Sequence, residues 1–138
     1  MNKNFQLKDF NEGLHFLSLG GIGEIGANCY LYGCDGKWIM IDLGLSFADE
    51  KFPGVDLLVP KIDHIESLKD NLEAVIISHG HEDHAGAVAF LANKITCPVY
   101  ATKFAKLLIE NRLKEFNKAK NFNLKEIDIN KKLSFKNF

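Results

Sequence analysis

Residues 73–94 read EAVIISHGHEDHAGAVAFLANK, and the fold turns on how this stretch is divided. Residues 73–79 form a short, nearly continuous apolar run, the pattern of a strand buried on both faces. Residues 83–94 read as a helix, with Asp83 placed as its N-cap. Between the two, His79, His81 and His84 fall within six positions, three of the chain's five histidines, with Glu82 and Asp83 interposed. Residues two apart do not share a helix face, so His79 and His81 converge only if the chain bends between them, as Gly80 permits. In open α/β sheets, ligands gather in the crevice where a strand passes into a helix. A bend there can direct His79 and His81 at one metal ion, and Asp83 and His84 at a neighbour. Imidazole nitrogen and carboxylate oxygen, with no thiolate nearby, suit Zn²⁺ first, with Mn²⁺ or Fe as alternatives. Two such ions about 3.5–4 Å apart would polarise a phosphoryl or carbonyl oxygen and bring the pKa of a bound water near 7, supplying a hydroxide nucleophile. Glu82, between ligands, is expected to face solvent or brace the loop.

Upstream of this stretch, residues 13–21 read as a strand ending in glycines. Residues 27–44 read as two strands joined at the Asp35–Gly36 turn, a strong hairpin signal. Asp42 ends the second strand after a run of nearly unbroken apolar residues, so its carboxylate needs a partner. A ligating histidine's second nitrogen would serve, and a turn aspartate before Leu43–Gly44 is the alternative. The glycines of GGIGEIGAN (20–28), with Asn28, make a tight loop between strands. The G-x-G-x-x-G string in it is a weak dinucleotide signal, because the loop leads into a strand and opens no clear helix. Residues 45–60 lose periodicity and read as a long loop, and residues 61–71 as a short helix with Ile62, Ile65 and Leu68 on one face. His15 and His64 are lone histidines, expected to be structural or on the surface.

Downstream, residues 97–102 read as a short strand. A helix follows, with Ala105, Leu108, Ile109, Leu113 and Phe116 in one stripe and Glu110–Lys114 as an i,i+4 pair. The last residues read as one or two strands with a turn near Asn130. Strands, a long loop, then strand and helix in alternation make a layered α/β chain with a mixed sheet.

The whole chain, 138 residues with 46% hydrophobic and 25% charged residues, is long enough for one ordinary domain. It has no apolar run of membrane-spanning length, and its polar N-terminus lacks a signal-peptide core, so a soluble cytoplasmic protein is expected. Three cysteines, none in a C-x-x-C pair, point to buried reduced thiols. The net charge of −1 conceals an asymmetry: residues 1–101 carry 7 basic and 14 acidic side chains, residues 102–138 carry 10 and 4. A basic segment can attract nucleic acid, although lysine-rich helices are usually solvated faces.

Taken together, LGGIGEIGAN (19–28), IMIDLGLSF (39–47), PGVDLLVP (53–60), ISHGHEDHAGA (77–87) and CPVYATKF (97–104) resemble the ribonuclease J family. That family lies in the β-CASP branch of the metallo-β-lactamase superfamily. The H-x-H-x-D-H pattern marks only the superfamily; the glycine-rich opening and the wording HGHEDH narrow it. The resemblance implies an αββα sandwich of which this chain is the N-terminal part, a mixed sheet with flanking helices. Residues 1–12 are then an N-terminal extension and residues 13–138 a partial domain, without the β-CASP insertion and the C-terminal domain. It implies two zinc ions, with manganese possible, cutting RNA by a metal-activated hydroxide, as exonuclease or endonuclease. His79 and His81 match ligands of one metal, and Asp83 and His84 ligands of the other. Asp83 and Asp42 match the catalytic carboxylates, Asp42 as the supporting aspartate of the first motif.

Family members are several times longer and add a further histidine and a bridging aspartate. After His84 this chain has no histidine and only Glu110, Glu115, Glu126 and Asp128 as carboxylates. The expectation is therefore part of a two-metal site, with RNA as substrate and a second chain as the partner that supplies the rest. A half sandwich is also expected to leave an open sheet edge and an unmatched apolar face. The competing expectations are a catalytically inactive remnant that keeps a metal-binding loop, and a thioester or lactone hydrolase of the same fold.

Overall fold

The computed structural model describes residues 7–138. Strands β1 (Leu14–Gly20), β2 (Cys29–Cys34) and β3 (Lys37–Ile41) run antiparallel in turn. The β2–β3 turn is the expected two-residue one: Asp35 and Gly36 have φ of 45° and 76°, the pair of positive values that suits strand twist in a tight hairpin. Residues 45–60, expected as a loop, also form a minimal ribbon, β4 (Ser46–Phe47) with β5 (Leu57–Leu58). A 3₁₀ helix (Asp63–Leu68) precedes β6 (Leu72–Ile77), which pairs parallel with β3. Helices α1 (Glu82–Ala85) and α2 (Val88–Leu91) lead to β7 (Val99–Ala101), and α3 (Lys103–Glu115) leads to β8 (Leu124–Glu126). The resulting six-stranded mixed sheet has the order β1-β2-β3-β6-β7-β8.

Register separates its faces. Leu17, Leu31, Met40, Val75, Val99 and Leu124 lie side by side across all six strands, and the four central ones are fully buried. Ala105, Ile109 and Leu113 of α3, with Val88 and Ala89 of α2, join the same core. Leu108 and Phe116, expected in the stripe, are partly exposed, because only a narrow band of α3 meets the core. Glu110 pairs with Lys106 on the preceding turn, at 3.6 Å.

The opposite face carries Tyr30, Ile41, Ile76 and Tyr100 in register, with Phe16 stacked on Tyr30 and tilted against Tyr32, both Phe16 and Tyr32 partly open to solvent. The terminal segment crosses that face: the Phe135 ring meets Tyr100 edge-on, and Asn137 Nδ2 donates to the Cys34 carbonyl at 2.8 Å. Strand β6, expected to be buried on both sides, therefore has Ile76 on a half-covered one. Among the described residues, no helix is long and apolar enough to cross a membrane.

The helix expected over 83–94 is broken into α1, α2 and a 3₁₀ turn (Ala92–Lys94). Its N-cap is His81, without a side-chain cap bond, and Asp83 is already inside the helix. The break has a tertiary cause. Carbonyls of Glu82, Asp83 and His84 accept hydrogen bonds from the N–H groups of Leu45, Asn28 and Leu43, and the Ala87 N–H turns away to the Leu43 carbonyl. Those partners take the place of a continuous helical ladder.

Cys29, Cys34 and Cys97 are free thiols, Cys29 and Cys97 buried. Burial, followed by the nearby Asp42 charge, pushes the Cys29 pKa up to about 12, and burial pushes Cys97 to about 11. Their neutral forms stabilise the fold fully below pH 9, and this contribution is lost as pH rises through the folded values. Iodoacetamide at neutral pH should modify Cys34 in the native chain and reach Cys29 and Cys97 only on unfolding. Peptide mass spectrometry checks this, and native labelling of Cys29 at the rate of Cys34 would refute it.

Candidate metal centre

The parallel strands β3 and β6 place their carboxyl ends side by side, which brings Asp42 next to Ser78. Asp42 is 3% exposed, the one charged residue buried among the described residues. Its Oδ1 accepts the Ser78 N–H at 2.7 Å, and its Oδ2 accepts the Ser78 hydroxyl at 2.9 Å. The same Oδ2 lies 2.7 Å from His84 Nδ1. A carboxylate can only accept, so His84 donates from Nδ1, and in the neutral ring the lone pair is then on Nε2. Ser78, to which the sequence reading assigns no role, also reaches His79 Nδ1 at 3.0 Å.

His84 Nε2 looks out beside Asp83, whose Oδ2 is 3.3 Å away. Next to both stands Asn28. Its amide nitrogen lies 3.0 Å from the Asp83 carbonyl, 3.2 Å from Asp83 Oδ2 and 3.3 Å from His84 Nε2. The amide is oriented from behind, because the Tyr30 hydroxyl donates to Asn28 Oδ1 at 2.7 Å. Burial, followed by the Asp42 charge, raises the Tyr30 pKa above its ordinary value and favours the protonated hydroxyl that makes this bond.

The three imidazoles cluster about His79: its ring centroid is 4.5 Å from that of His81 and 4.1 Å from that of His84. His81 is exposed, whereas His79, Asp83 and His84 are half-buried. Among the described residues, no group of three or more His, Cys, Asp or Glu side chains closes into a ready cage for an ion. The donor shared by Asp83 and His84 is the Asn28 amide. The chemistry nonetheless fits a borderline divalent cation: an imidazole lone pair fixed by a carboxylate behind it, a second carboxylate beside it, and two further imidazoles. The set is smaller than a complete two-ion centre requires.

Glycine packing holds the backbone here. An added Cβ at Gly44 would lie 1.7 Å from the Asp83 carbonyl oxygen, and one at Gly26 would lie 2.8 Å from Ser46. The glycine-rich loop is thus a spacer that lets residues 26–28 and 43–45 close on α1, and it opens no helix. The two lone histidines lie apart from the cluster: His15 packs between Phe10 and Trp38, and His64 is exposed on the 3₁₀ helix.

Comparison with known proteins puts this geometry in context. Residues 22–134 match the family described as the metallo-beta-lactamase superfamily. Ribonuclease J2 of Bacillus subtilis is 32% identical over 128 residues, covering 93% of this chain and 23% of the relative. Ribonuclease J of Sinorhizobium meliloti is 45% identical over 104 residues, 72% of this chain and 18% of the relative. The chain thus spans less than a quarter of the length of these relatives. A solved quorum-quenching N-acyl homoserine lactone hydrolase aligns with 85% of this chain and 57% of its own at 18% identity and a TM-score of 0.47.

Proposed function

Because the chain belongs to the metallo-beta-lactamase superfamily and is similar to ribonuclease J over most of its own length, we propose that it serves metal-dependent hydrolysis of RNA phosphodiesters. The observation that carries the proposal is the buried Asp42 carboxylate, which ties Ser78 and His84 together and leaves His84 Nε2 facing outward beside Asp83. His79 and His81 would hold one divalent ion and Asp83 and His84 a second, zinc or manganese. When bound, such an ion supplies Lewis acidity and lowers the pKa of a water toward neutrality. The chain's own residues orient the donors. Asp42 fixes the His84 tautomer, and Tyr30 aims the Asn28 amide, which keeps Asp83 and His84 adjacent.

The same proposal takes residues 13–138 as the N-terminal part of the domain and residues 1–12 as an extension. RNA is the substrate, donors from outside residues 1–138 complete the site, and the cytoplasm is the location. A second reading, a metal-binding remnant without turnover, is favoured by the Asn28 amide, which stands within 3.3 Å of both Asp83 Oδ2 and His84 Nε2.

The test is cleavage of a 5′-monophosphorylated RNA by the full chain, with and without Mn²⁺ or Zn²⁺. Metal-dependent cleavage that His81→Ala and Asp83→Ala each reduce at least about a hundredfold supports hydrolysis. Metal binding without cleavage supports the remnant. Cleavage of a thioester or lactone, with RNA left intact, would replace RNA by another substrate class.

A further inference from the structure

Glu82 lies between His81 and Asp83 and points away from both. Its Oε1 meets Arg112 Nη2 of α3 at 2.7 Å. The side chain lies back over Gly86, where a Cβ would come within 2.4 Å of Glu82 Oε2. One turn earlier on α3, the helix meets the loop a second time: a Cβ on Gly80 would lie 2.8 Å from Leu108 Cδ1 and 3.4 Å from Ala105 Cα. Ala105, Leu108 and Arg112 share one face of α3 at i, i+3 and i+7. Only a cavity of about 30 Å³ separates helix and loop. Arg112 is the chain's single arginine against sixteen lysines. Its planar fork also reaches Glu115, 3.9 Å from Nε, so the guanidinium is held from its own helix while it holds Glu82.

We propose that α3 is the positioning element of the ligand loop: Arg112, acting through Glu82, and the Ala105–Leu108 surface, acting on Gly80, hold the segment from His79 to Asp83 in its donor-presenting shape. This rests on the metal-binding reading above. Arg112 touches no donor atom of that set and acts on the ligands only through the backbone between them. An exposed ion pair adds little to global stability, so its effect belongs in metal affinity and not in the unfolding temperature.

The test titrates Co²⁺ into the full chain, following its visible absorption, alongside thermal unfolding of the metal-free protein. Arg112→Met and Glu82→Gln are each expected to weaken Co²⁺ binding about three- to tenfold while leaving the metal-free unfolding midpoint within about 3 °C. Arg112→Lys should recover part of the affinity, and the exchanged pair Glu82→Arg with Arg112→Glu should bind more tightly than either of its single changes. Unchanged Co²⁺ affinity in Arg112→Met, with the parent chain binding normally, overturns the brace and leaves the metal reading standing. An affinity loss that tracks a falling midpoint and is not recovered by the exchanged pair assigns Arg112 a merely structural role and overturns it too. A parent chain that takes up no Co²⁺ removes the metal reading and this proposal with it.

Discussion

Gly44→Ala is expected to abolish divalent-metal uptake and to lower the thermal midpoint of the chain by about 10 °C or more. The added methyl would stand 1.7 Å from the Asp83 carbonyl oxygen and 2.7 Å from the His84 nitrogen, both main-chain atoms of α1. No rotamer can relieve a contact between backbone and Cβ, so the segment at residues 43–45 must part from α1. Parting breaks the bonds from Leu43 N–H to His84 O, Leu45 N–H to Glu82 O and Ala87 N–H to Leu43 O. At about 1 kcal/mol for each lost bond and 1–3 kcal/mol for overpacking, the total reaches about 4–6 kcal/mol. A chain of this length loses roughly 2–5 °C per kcal/mol. Gly54→Ala is the control: its φ is +79° but nothing lies within 4 Å of its Cβ, so only backbone strain of about 1 kcal/mol applies. Circular dichroism melting and Co²⁺ titration of both variants make the comparison. If Gly44→Ala melted with Gly54→Ala and still bound metal, the close approach of these segments would be wrong.

The second expected result separates folding from ligand orientation at one residue. Asp42 has φ +62°, a region where asparagine is tolerated and alanine is not. Asp42→Ala loses that tolerance and strips partners from Ser78 and His84, so it should cost about 2–4 kcal/mol of stability and weaken metal binding 10- to 100-fold. Asp42→Asn should keep most of the stability yet lose as much metal affinity as alanine. The reason is the tautomer. With its oxygen accepting the Ser78 N–H, the carboxamide in the Asp42→Asn chain would turn its NH₂ toward His84 Nδ1. That ring nitrogen would then have to accept, moving the proton to Nε2, the atom left facing Asp83. Chemical denaturation and Co²⁺ titration read the two effects separately. Metal binding by Asp42→Asn within twofold of the parent would dispose of the orienting role.

Several elements could be read from residue order alone because their causes are local. The Asp35–Gly36 turn supplies two positive φ angles side by side, and the buried stripe Ala105–Ile109–Leu113 follows from helical spacing. Placing Asp42 at the end of an apolar strand sufficed to demand a partner for it, and the structure gives it His84 Nδ1 and Ser78. What could not be read is governed by distant segments. The interruption of the helix after Ala85 depends on main-chain groups of Leu43 and Leu45, about forty residues away, which no periodicity reports. The roles of Asn28, Tyr30 and Arg112 likewise exist only after the sheet and α3 have assembled. Asn28 was visible as part of the glycine-rich loop, but its contacts with Asp83 and His84 were not. The 46–47 and 57–58 ribbon is too short for its residues to alternate in any telling way.

The segment that presents the donors is fastened largely through peptide groups: three carbonyls of α1 engage amide protons from residues 28, 43 and 45. Such fastenings are indifferent to which side chain a position bears, glycine at 44 excepted. Outline and reagent are therefore inherited separately in this chain. Exchanging the imidazole at position 79 or 81 for another side chain leaves those fastenings in place, which makes the loop a frame on which other reactivities can be installed.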